Sequence, residues 1–248
     1  MKIINSLQNQ QIKNIQKLHA SKGRQEQGKF LAEGVRICQT LISSKVELEQ
    51  LYVLEEMQAD ALKITVGQNV TIVTKSVMEK ISTVQTPSGL VGVFKIPKHP
   101  STRDLSSGIV LDGISDPGNM GTLIRTAAAV GIKTVVIFEG VDPWASKVVQ
   151  ASAGTIGQVN IFQIDLEKIL ATKGKLKLCA LVVKDGKKPN EIDLTDSLLV
   201  VGNEAHGISD QVLKVCDQKM SLPMAKNVES LNAAVAGSIA MYLAFVNK

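Results

Sequence analysis

The chain has 248 residues, 44% hydrophobic and 21% charged, an ordinary balance for a globular protein holding one large core or two modest ones. No apolar run approaches the roughly 20 residues needed to cross a bilayer. Met1-Lys2-Ile3-Ile4-Asn5 turns polar too early for a signal-peptide core. Cys38, Cys179 and Cys216 are odd in number, far apart and without zinc-type spacing. They speak against a disulfide framework or a metal site and fit a reducing, cytoplasmic setting. The net charge of +5 lies wholly in residues 1–106, with 14 Lys and Arg against 9 Asp and Glu, whereas residues 107–248 carry 14 of each sign. The first 45 residues alone hold eight basic and two acidic side chains. Charge alone leaves two readings open, a module facing a polyanion or a solvated basic helix surface.

In chain order, residues 7–45 read as mainly helical, with Ile12, Ile15 and Leu18 on the apolar side and Lys13, Lys17, Lys22 and Arg24 on the polar side. A strand-like run, Gly28 to Gly34, interrupts them, and a helix resumes over 35–42. Leu51-Tyr52-Val53-Leu54, Val70-Thr71-Ile72-Val73 and Leu90-Val91-Gly92-Val93-Phe94 are strand candidates, with a helix expected over 57–64. This makes a small α/β domain over 1–95. Lys95 to Ser101, with two prolines and no periodicity, opens a linker placed at 96–106.

From 107 to 248 the pattern is strand–helix alternation. Strands are expected at 109–111, 134–138, 159–164, 178–183 and 198–201, and helices over 119–130 and 144–152. Continuous apolar runs of this kind mark strands buried on both faces of a mostly parallel sheet. The chain closes on a helix, where Leu231, Val235, Ile239, Tyr242, Leu243 and Val246 form one stripe and Ser230 stands as its cap.

Three stretches sit at the carboxyl ends of expected strands, where open α/β sheets place ligands. The first, Asp112 to Thr126, is a tight loop running into a helix whose free amides favour an anion. In it Asn119 is expected at the loop end. Arg125 lies in the apolar run Leu123 to Ala129, where a lone charge calls for a partner or an anionic ligand. In the second, Leu198 to Ile208, Gly202 and Gly207 permit close approach to a flat ligand, with Glu204 and His206 exposed at the strand end. The third is Ser221 to Ala236. No phosphate-binding glycine loop, nucleophile triad or Cys/His metal cluster is present.

Leu222-Pro223-Met224 followed by Glu229-Ser230-Leu231-Asn232, with the other two stretches in matching order and spacing, resembles the SpoU family of RNA ribose 2′-O-methyltransferases in the SPOUT superfamily. Asn5 to Gly34 is similar to the substrate-binding domain found ahead of many SpoU enzymes, itself like a ribosomal protein. The resemblance implies S-adenosylmethionine as cofactor, a homodimer and a trefoil knot threaded by the C-terminal segment. It implies that Asn119 and Arg125 serve the target ribose and phosphate. Gly202, Asn203 and Gly207, with groups near Leu222, Met224 and Leu231, would hold the cofactor. Glu204, Ser230 and Asn232 belong to the same catalytic signature. Many members read Ser-Leu-Asn-Val-Ser, and here Ala233-Ala234 replaces Val-Ser.

The expected reaction is methyl transfer to a ribose 2′-hydroxyl, which makes RNA the substrate. Ribosomal RNA is favoured over transfer RNA. Arg125, a donor only, would orient ribose and phosphate, and the proton would leave through phosphate, water or Glu204. Two other readings are a transfer-RNA methyltransferase and an RNA-binding protein on a catalytically silent fold. A dinucleotide enzyme is disfavoured by the missing glycine fingerprint.

Overall fold

The computed structural model describes residues 2–65 and 69–245. Two compact units emerge, one of Met1–Lys98 with Asp142–Gly157 and one of His99–Val141 with Gln158–Lys248. The first is therefore discontinuous: the segment 142–157, expected within the second domain, packs with the first.

In chain order the first unit runs β1 (Lys2–Ile4), α1 (Gln10–Lys17), α2 (Ser21–Gln27), β2 (Lys29–Glu33), α3 (Val35–Ser43) and β3 (Leu48–Val53). It continues with α4 (Gln58–Ile64), β4 (Val70–Val73), α5 (Lys75–Ile81) and β5 (Leu90–Lys95). The strand order is β1-β4-β3-β5-β2. β1, β4 and β3 are parallel, and β5 is antiparallel to both its neighbours. The three-residue spacing of Ile12, Ile15 and Leu18 does what it predicts, since all three are buried against Val77, Met78 and Ile81 of α5.

The remaining elements are β6 (Gly108–Asp112), α6 (Pro117–Ala129), β7 (Thr134–Phe138), α7 (Ser146–Ala151), β8 (Asn160–Gln163) and α8 (Leu166–Thr172). Then come β9 (Lys177–Leu181), β10 (Ser197–Gly202), α9 (Asp210–Leu213), β11 (Gln218–Met220) and α10 (Ala233–Phe245). Six strands form one parallel sheet in the order β11-β9-β10-β6-β7-β8. Every residue of β6, β7 and β10 is buried, as their apolar runs require.

Arg24 departs from expectation. It is not on a solvated polar side but is buried, gripping Asp142 through Nε at 2.8 Å and Nη2 at 2.6 Å. Its Nη1 donates to the carbonyls of Leu18 and His19. Ser21 adds a hydroxyl to the same Asp142 oxygen, and the Trp144 ring lies 4.9 Å from that of Phe30 on β2. Both bonds to Asp142 end on one carboxylate oxygen, and with the two carbonyls they give every nitrogen of this buried guanidinium a partner.

The last helix also differs. Val235, Ile239, Tyr242 and Leu243, the expected core stripe, are exposed at 47%, 42%, 56% and 41%. The small residues Ala234, Gly237, Ala240 and Ala244, with Met241, face inward instead. A Cβ on Gly237 would lie 2.5 Å from Leu123 of α6, so the inward face is small because the packing is close. Val246 lies outside the described residues.

Candidate active site

β6 and β10 are neighbours in register, with Asp112 beside Gly202, so the loops that leave them meet at one edge of the sheet. After β6, Gly113 turns the chain, and Asp116 caps α6 by accepting from the Asn119 amide at 2.7 Å. Pro117 occupies the first helical position, where its missing donor costs nothing. After β10, Asn203 and Gly207 exchange two backbone hydrogen bonds of 2.9 Å, closing a small loop. The Asn203 carboxamide staples this loop, accepting from the amides of Ala205 and His206 and donating 2.8 Å to the Gly113 carbonyl. The position a Gly202 side chain would take is filled by the returning loop. A Cβ there would sit 2.2 Å from the Ile208 nitrogen.

A chain of amides then crosses from the last helix to the β10 loop. Asn232 caps α10, its Oδ1 accepting from Ala234 and Val235, a role expected of Ser230. Because that oxygen is committed to helix amides, the Asn232 NH2 faces outward and donates to Asn119 Oδ1 at 3.1 Å. Asn119 in turn donates to Glu204 Oε1 at 2.9 Å. Glu204 also accepts from the Asp116 amide and from both the amide and hydroxyl of Ser115. Partial burial pushes the Glu204 pKa up, but the hydrogen bonds from Asn119, its own backbone, Ser115 and Asp116 outweigh it and hold the carboxyl below its ordinary value. A carboxylate so supplied with donors is a poor proton acceptor and a good anchor.

Beside this chain opens a cavity of about 360 Å³, within the roughly 300–1,000 Å³ of small-molecule sites. Leu181, Val183, Val201, Leu222 and Leu231 give it apolar walls, and Glu204, His206 and Ser230 give it a polar rim. All six residues expected to hold a cofactor, Gly202, Asn203, Gly207, Leu222, Met224 and Leu231, line it. Asn119 and Asn232 reach it through Glu204. Ala233 is in its wall, whereas Ala234 is buried and is not part of the lining.

Arg125 stands apart. Asn119 is helical rather than in the loop, so at about 100° per residue Arg125 lies roughly 120° around α6 from it. Arg125 is exposed and makes no hydrogen bond or ion pair among the described residues, so it needs no buried partner. Ser115 is the site residue that sequence reasoning missed. It meets Glu204 across 89 positions, a separation that no local pattern betrays. Among the described residues no group of three or more His, Cys, Asp and Glu side chains is placed to hold a metal ion, and no helix is long and apolar enough to cross a membrane.

A parallel sheet with its polar loops gathered over an apolar slot at the carboxyl ends of adjacent strands defines an α/β enzyme that binds a nucleotide-like cofactor. Comparison with known proteins narrows the class. Residues 106–242 match the SpoU rRNA Methylase family and residues 9–92 the MRM3-like substrate binding domain. The chain belongs to the SpoU rRNA Methylase family. It is 28% identical to the 23S rRNA (guanosine(2553)-2′-O)-methyltransferase RlmP of Bacillus subtilis, over 98% of each chain. It is 31% identical to an uncharacterized tRNA/rRNA methyltransferase of Synechocystis, covering 96% of this chain and 92% of that one. A crystal structure of an AdoMet-bound rRNA methyltransferase from Sinorhizobium meliloti superposes with a TM-score of 0.85 at 26% identity, over 98% of this chain and 97% of that one.

Proposed function

We propose that this protein transfers the methyl group of S-adenosylmethionine to a ribose 2′-hydroxyl of ribosomal RNA. The observation that carries the reading is the Asn232–Asn119–Glu204 chain on the rim of the apolar cavity. It ties all three sequence signatures to one site. The cavity fits the cofactor: leucine and valine walls suit a flat adenine, and the polar rim suits its sugar and amino acid ends. When bound, S-adenosylmethionine supplies an electrophilic methyl on a sulfonium centre.

The chain's own residues position the reactants. Leu222, Met224 and Leu231 hold the adenosine part, with Gly202, Asn203 and Gly207 shaping the loop that closes over it. Glu204 locks the two loops together, and Asn119 and Asn232 present their amides beside the reacting ribose. Ser230 lines the same rim. Arg125 binds the adjoining phosphate as a pure donor. With Glu204 already saturated, the hydroxyl proton leaves through phosphate or water. The replacement of serine by Ala234 falls outside the cavity lining, which favours an active enzyme over a silent fold.

The same reading carries a homodimer. A second copy of the chain covers the outward face of α10, where four large apolar residues stand exposed. It carries the trefoil knot of the family and a cytoplasmic location, in keeping with three free cysteines. Sedimentation velocity reads the assembly directly.

The test is calorimetric titration with S-adenosylmethionine and with NAD, followed by transfer of a labelled methyl group to purified ribosomal and transfer RNA. Binding of the first ligand alone and alkali-resistant label in ribosomal RNA are expected. Arg125→Ala abolishes transfer and leaves cofactor affinity nearly intact. Label in transfer RNA alone selects the other substrate, and loss of cofactor affinity in the variant reassigns Arg125.

A further inference from the structure

The second unit is neutral in sum, yet its lysines are not evenly spread. After β9 the chain leaves the cavity wall at Val183 and runs Lys184-Asp185-Gly186-Lys187-Lys188. This segment zips onto the residues that follow β11. The Lys187 amide donates 3.0 Å to the Lys219 carbonyl, and the Ser221 amide donates 3.0 Å to the Lys187 carbonyl. Ser221 Oγ adds a bond of 2.9 Å to the Gly186 carbonyl. The next residue, Leu222, is again cavity wall. Lys187 and Lys219 are therefore fastened to each other by backbone bonds between two stretches of cavity wall, Lys184 directly follows the wall residue Val183, and Lys226 lies two residues beyond the wall residue Met224.

All four lysines are exposed, and among the described residues none makes an ion pair. The neighbouring acids are Asp185, Glu191, Asp217 and Glu229, all exposed, and none of them forms an ion pair with these four lysines. Unpaired cations held on ordered backbone at a cavity mouth attract a polyanion.

We infer that this lysine edge is a phosphate-contact surface on the catalytic unit itself, along which the RNA strand carrying the target ribose is laid. The inference rests on the reading of the cavity as a methyl-transfer site: a ribose delivered there brings its flanking phosphates with it. Phosphate contacts position a strand without reading its bases, so the edge contributes register and affinity rather than sequence choice.

The test is equilibrium binding of the full-length protein to purified large-subunit ribosomal RNA across a salt series. Lys187→Ala/Lys219→Ala is compared with Lys175→Ala/Lys177→Ala, an equal charge loss at the amino end of β9. The first variant is expected to bind about tenfold more weakly, and the slope of log K against log[salt] falls by about 1.4, for two contacts to single-stranded RNA. Cofactor affinity and Tm stay unchanged, and Lys187→Arg/Lys219→Arg restores binding. Equal behaviour of the two alanine variants overturns the inference. Because RNA binding and methyl incorporation are read separately, a wild-type protein that binds RNA without methylating it counts against the activity and not against this surface.

Discussion

Two glutamates, one in each unit, use the same device to different ends. Glu33 closes β2, and its carboxylate takes the amide and hydroxyl of Thr83 on one oxygen and the Ser82 hydroxyl on the other. Glu204 follows β10 and takes the amide and hydroxyl of Ser115 on one oxygen, with Asp116 and Asn119 on the other. Both anchor a loop by saturating a carboxylate with donors. Glu33 is only 4% exposed, whereas Glu204 is exposed on the cavity rim. The difference teaches that a carboxylate on a cavity rim can serve as an anchor rather than a base. The role proposed for Glu204 rests on where its scaffold stands.

Substitutions sharpen the contrast. Glu33→Ala strands three donors in a closed site and should destabilise the protein by about 3 kcal/mol in denaturant melts. Methyl transfer measured well below the melting range should survive it. Glu204→Gln turns one acceptor into a donor facing other donors. It should slow transfer about a hundredfold, equivalent to roughly 2.7 kcal/mol of barrier, with unfolding midpoints almost unchanged. A Glu204→Gln enzyme of normal rate would break the comparison.

The smallest effect is on pH. Because the folded Glu204 carboxyl titrates below its ordinary value of 4.5, its contribution to stability is fully present above that value and is lost as pH falls through the lower folded one. The stability difference between wild type and Glu204→Gln should be flat from about pH 5.5 to 8 and shrink only below about pH 4.5. Exposure of the carboxylate keeps that difference small.

The parallel sheet and the cavity residues were legible because buried strands and glycine-rich strand ends leave local marks. Faces and partners were not. The last helix is apolar on every side, so periodicity in 231–246 could not say that alanine and glycine would be packed and the larger residues left outside. Arg24 read as solvated because its partner, Asp142, is 118 positions away. Ser230 looked like a cap, yet Asn232, closer to Ala233, competes better for the same amides. Asn119 fell inside its helix because Asp116-Pro117 is the stronger start signal. β1, α5, α8 and α9 are short elements that the sequence reading did not name.

The grip of Arg24 on Asp142 also sets an order of events during synthesis. At about 5–20 residues per second, the ribosome delivers the N-terminal strands and helices several seconds before their last segment exists. Until Asp142 emerges, the Arg24 guanidinium has no counter-ion and the Phe30 ring has no Trp144 to cover it. The nascent first unit therefore waits, incomplete, through the translation of β6, α6 and β7 before it can close.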